Sequence, residues 1–260
     1  MVLLTSVQNW KFRLPNPLLT HIRKPLAVSL RDDSNIQTMT IELIPVIEIG
    51  YNNQGVTAPD KYPYWDNSEI WDDYHEECYQ KAGFKDKLTP YLKGSSFYKL
   101  SDITDNNLTK LTIDHTQEMR DGKYKRPQDT CAFFGGYVLR VDGQDKYFPQ
   151  CCGELSDIKY WENISNGKNS YHEEHPTPQI EFKGNNLVFD FSVDEFDEPF
   201  QPTPTELFLT IDRLQLKIAV EKAKTELQAF EQRLNKINED EKLNINNIGG
   251  LLIWDNWNYE

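Results

Sequence analysis

The chain has 260 residues, with 28 basic and 41 acidic side chains for a net charge of −13, and it is 38% hydrophobic and 12% aromatic. That much large apolar surface excludes a disordered chain and can build a core without disulfides or a structural metal. The negative field disfavours nucleic-acid phosphates and anionic lipid as partners and favours a cationic one.

The opening residues place no basic segment ahead of an apolar run, and no stretch approaches ~20 apolar residues. A cytoplasmic chain with reduced cysteines, no export signal and no membrane partner is therefore expected. Alternation of Trp10, Phe12 and Leu14, then Leu26, Val28 and Leu30, then Met39, Ile41 and Leu43 predicts strands. Pro45 cannot donate to a ladder, which predicts an edge strand, a bulge, or a second short strand from Val46 to Ile49. A helix is expected from Asp66, with Glu69 reaching back, Ile70 or Trp71 with Tyr74 and Cys78 inward, and Gly83 as its stop. A short strand over Ser96 to Leu100 and a second helix over Asp105 to Arg120 follow.

Cys131 to Val141 is apolar on both faces, as in a buried central strand, and Asp142-Gly143 turns it into a hairpin over 131–150. Gly135-Gly136 within it predicts a bulge or a close backbone approach. Ser156 should cap a short helix that runs through Tyr160 and Ile164 and stops at Gly167. A second hairpin spans 179–193 around Gly184-Asn185-Asn186, and the cluster Pro199, Pro202 and Pro204 is a stiff connector. Leu207, Leu209 and Ile211 alternate as a strand, and Asp212 with Gln215 starts a long amphipathic helix over about 212–238. Its stripe of Leu216, Val220, Ala223, Leu227, Phe230, Leu234 and Ile237 should lie across its own sheet, with a homodimeric coiled coil as the alternative. The tail from Leu251 to Trp257 is expected to fold back as a strand or clasp.

The fold class is thus α+β: a mixed, mostly antiparallel sheet with two hairpins, packed by helices. It is read as a single domain over 1–260, and any boundary would fall near 195–205.

No phosphate-binding loop, nucleophile elbow or kinase set is present, and no cofactor is expected. In His172-Glu173-Glu174-His175 the histidines are three apart rather than the four that a zinc-protease helix needs, and Pro176 and Pro178 follow. The segment reads as a solvated loop, with no metal assigned. Cys151 and Cys152 would point to opposite faces of an extended strand, and all four cysteines read as buried structural residues. The alternative is a thiol- or metal-dependent hydrolase using Cys151 or Cys152 with His172 or His175. A cysteine, a histidine and a carboxylate converging in one cleft would favour it.

Two acidic patches stand out as partner-binding candidates: Glu69, Asp72, Asp73, Glu76 and Glu77 on the first helix, and Asp194, Glu195, Asp197 and Glu198 after the second hairpin. The block from Cys131 to Trp161, with its hairpin and helix, resembles bacterial immunity-type proteins, which neutralise toxins exchanged between competing cells. The resemblance implies a cytoplasmic protein that binds and occludes a basic toxin domain, and it assigns no site residues. A scaffold or homodimer using the long helix is a third reading.

Overall fold

The computed structural model describes residues 39–124, 126, 130–193 and 198–255. The strands expected between Trp10 and Leu30, the acidic residues Asp194, Glu195 and Asp197, and Trp257 lie outside the described residues.

The elements in chain order are β1 (Ile41–Glu48), α1 (Ser68–Ala82), β2 (Phe97–Lys99), α2 (Asp105–Arg120), β3 (Gly135–Val141), β4 (Gln144–Tyr147), α3 (Ile158–Ser165), β5 (Gln179–Lys183), β6 (Asn186–Asp190), β7 (Phe208–Asp212) and α4 (Arg213–Asp240). The strands form two antiparallel sheets, ordered β2-β1-β3-β4 and β5-β6-β7, so the architecture is α+β.

Contrary to the edge or break expected at Pro45, β1 is a continuous central strand. Glu48 N donates to Phe134 O and Ile49 N to Ser96 O, so even-numbered residues turn their amides toward β3 and odd-numbered ones toward β2. Pairing with β2 begins only at Val46. The missing amide of Pro45 therefore points past the end of β2, and the strand loses no bond there.

Buried on both faces, β3 behaves as its two-sided apolar pattern predicts: Tyr137, Leu139 and Val141 enter the main core, while Val138 packs with Val46 and Phe148 on the opposite side. Gly135 has φ +141°, and a Cβ on it would strike Val46 O and Ile47 Cα, which is the close approach that the glycine pair signals.

The long helix begins where Asp212 accepts from Gln215 N (2.8 Å), and its predicted stripe from Leu216 to Ile237 is buried against β1, α2, α3 and β7. The chain itself covers that face. Beyond α4, Gly250–Trp254 makes a single wide helical turn rather than a strand; it buries Leu251, Leu252 and Ile253, and Leu252 O accepts from Phe133 N (3.0 Å). It serves as a clasp on the approach to β3. No described helix is long and apolar enough to cross a membrane.

Candidate functional site

After β4 the chain turns tightly. Gly153 N donates to Gln150 O (3.3 Å), placing Cys151 and Cys152 at the two central positions of the turn. Cys152 has φ +69°, a conformation usually left to glycine or asparagine and costing other residues about 1–2 kcal/mol. The residue after it has to be glycine, because a Cβ on Gly153 would strike Glu174 Oε1 and Gly135 O. The left-handed step overturns the expectation that the two thiols diverge: their sulfurs lie 3.4 Å apart.

The segment after α3 runs against this turn. His175 N donates to Cys151 O (3.1 Å), a single antiparallel bridge that fixes the imidazole beside the thiols. His175 Nε2 is 3.5 Å from Cys152 Sγ, and its Nδ1 is 2.7 Å from Glu198 Oε2. The segment carrying Glu198 is held by the buried amide of Gln150, which accepts from Gln201 N (2.9 Å) and donates to Gln201 O (3.1 Å). A carboxylate accepting at Nδ1 sets the tautomer whose Nε2 lone pair faces the thiol.

Cys151 is pushed up to about 11, first by its contact with Cys152 and then by burial, so it keeps its proton at neutral pH. Burial, and then Glu154, raise Cys131. Cys152 opens onto a cleft of about 580 Å³, walled by Tyr64, Trp71, Phe97 and Pro176, with Glu48 and Glu198 as its acidic members. Asp72 Oδ1 anchors the far wall by accepting from Gly94 N (2.7 Å), and Trp71 Nε1 donates to Lys61 O (2.8 Å).

Two expectations about these residues are corrected. Of the four cysteines only Cys78 is buried; Cys131, Cys151 and Cys152 are exposed, because the turn carries its thiols outward. The segment from His172 to His175 is a loop, yet it is not solvated: His172 and Glu174 are buried while His175 faces the cleft, as alternation along an extended segment requires. On α1, Asp72 accepts from Gly94 N (2.7 Å), and at the surface Glu76 pairs with Lys87 (2.8 Å) and Glu77 with Lys81 (2.8 Å). Glu69 and Asp73 are exposed. Glu198 is exposed and pairs with His175 Nδ1 (2.7 Å).

No family model, curated protein or solved structure matches the chain.

Proposed function

We propose that the chain is a thiol enzyme of acyl transfer or hydrolysis, with Cys152 as nucleophile, His175 as base and Glu198 orienting the imidazole. The observation that carries this reading is the continuous line from Cys152 Sγ to His175 Nε2 (3.5 Å) and from His175 Nδ1 to Glu198 Oε2 (2.7 Å), opening onto a cleft. As sulfur bonds to a substrate carbonyl carbon, its proton passes to Nε2. The imidazolium returns that proton to the leaving oxygen or nitrogen, giving a thioester. Water, deprotonated by the same imidazole, then releases the acid and the free thiol. Backbone strain at Cys152 supports the reading, because such residues persist where surrounding structure over-determines them and they cluster at reactive sites. Aromatic walls and two carboxylates suit a substrate that is neutral or cationic and carries an apolar group.

Alkylation with iodoacetamide, mapped by mass spectrometry, should modify Cys152 ahead of exposed Cys131, and His175→Ala should slow it by about tenfold or more. An activated ester should give a burst that Cys152→Ala abolishes. Equal labelling of the two cysteines, unaffected by His175→Ala, would sink the reading.

A second reading is a cytoplasmic immunity-type protein that occludes a basic toxin domain; it draws on the net charge of −13 and on exposed Glu69 and Asp73 of α1. It predicts salt-sensitive binding to such a domain that is lost in the Glu69→Lys/Asp73→Lys variant and kept in Cys152→Ala.

A further inference from the structure

Behind the Cys152 turn lies a second, largely buried cluster. His172 is 5% exposed and stacks on Tyr160, with ring centroids 4.0 Å apart and planes 2° from parallel. Neither ring nitrogen of His172 has a hydrogen-bond partner, and the Tyr160 hydroxyl has none either. Orphaned buried polar atoms of this kind call for an explanation.

Two carboxylates face the imidazole. His172 Nε2 is 3.7 Å from Asp157 Oδ2 and 3.7 Å from Glu174 Oε1, beyond hydrogen-bond reach, and the three atoms lie within 4.8 Å of one another. Atoms so spaced leave a point no more than about 2.4 Å from each, within reach of the bonds of a first-row transition ion to imidazole nitrogen and carboxylate oxygen. Both carboxylates are aimed by further groups: Asp157 Oδ2 accepts from Glu154 N (2.8 Å), and Glu174 Oε2 accepts from the Tyr147 hydroxyl (2.5 Å). Outer partners of this kind accompany metal ligands. Gly136 and Gly153 leave the space that Glu174 Oε1 occupies, since a Cβ on either would press against it.

Charge points the same way. Two carboxyl groups and an imidazole converging in the interior without hydrogen bonds between them is a costly arrangement that a divalent cation would offset.

We infer that Asp157, His172 and Glu174 form a buried structural site for a divalent transition-metal ion of the zinc type, bound by one nitrogen and two oxygens. The imidazole ligand favours such an ion over magnesium or calcium, and the oxygen donors disfavour a soft ion such as copper(I). Bound there, the ion ties the loop of His172 and Glu174 to the short turn Leu155–Asp157 that follows the cysteines. This inference does not depend on the chemistry of Cys152.

Metal analysis of the full chain, purified without chelator, tests it. About one equivalent is expected in the wild type and in Cys151→Ser/Cys152→Ser, falling to about a tenth or less in His172→Gln. Chelated protein should melt at a lower temperature and recover on addition of Zn²⁺. Co²⁺ should give visible bands without a thiolate charge-transfer band. Should His172→Gln fail to fold, Glu174→Gln keeps the side-chain shape while removing a charged ligand, and it should lose the ion likewise. A metal-free wild type whose melting is unmoved by Zn²⁺ would overturn the inference, leaving His172 as an imidazolium between carboxylates. An ion retained in both glutamine variants but lost with the thiols would also overturn it.

Discussion

At the scale of single residues, the left-handed cysteine separates stability from chemistry. Glycine adopts φ near +69° without steric cost, so Cys152→Gly removes strain while enlarging the freedom of the unfolded chain. The two effects nearly offset, and stability by denaturant titration should stay level or rise by up to about 1 kcal/mol while thiol reactivity at this position disappears. A loss greater than that would show that packing of the thiol outweighs the strain. His75 gives a pH test. It is 7% exposed among Trp71, Tyr74 and Tyr79, its Nδ1 has no hydrogen-bond partner, and burial lowers its pKa from the ordinary 6.5, with Asp72 pulling the other way. The unfolded chain takes up the proton more readily than the folded one. The stability His75 confers is thus fully present above 6.5 and is lost as pH falls below that value toward the folded pKa. Comparing wild type with His75→Phe at about pH 7.5 and about pH 5.5, the wild type should lose more stability on acidification; an identical loss in both would refute the assignment.

At the scale of elements, helices were the most legible part of the sequence. α2 occupies the predicted span from Asp105 to Arg120, capped by Thr104, and α4 buries the predicted stripe. Both succeed because periodicity and caps are local. On that basis Leu227→Ala, at a fully buried position of α4, should cost about 2–5 kcal/mol, whereas Leu214→Ala, exposed on the first turn, should cost less than about 0.5 kcal/mol. Equal effects would mean that the stripe does not carry the helix. The start of α3 was less legible: the sequence predicts Ser156 as cap, but a short turn over Leu155–Asp157 comes first, and Asp157 Oδ2 accepts from Glu154 N. The arrangement proposed to be catalytic was hidden for a different reason. Cys152, His175 and Glu198 obey no spacing rule, and what joins them is a bridge between Cys151 and His175 together with the Gln150 amide, neither of which has a sequence signature. The one local hint was Gly153, and it marks the turn without disclosing that the cysteine before it takes the left-handed conformation.

For the whole molecule, the net charge of −13 and the cleft carboxylates Glu48 and Glu198 should select reagents by charge. Neutral iodoacetamide should label Cys152 faster than anionic iodoacetate, relative to their rates with a free thiol, and the gap should narrow as salt rises to about 1 M. A ratio indifferent to salt would locate the discrimination in shape rather than in field. The alternation in the loop before Pro176 carries the last consequence. Glu174 and His175 are consecutive, one turned inward and the other toward the cleft, so a single stretch of backbone sets the positions of both. Any shift that moves the cleft-facing imidazole must also drag an interior carboxylate, which leaves the sequence little freedom to alter this edge of the cleft without redesigning what lies behind it.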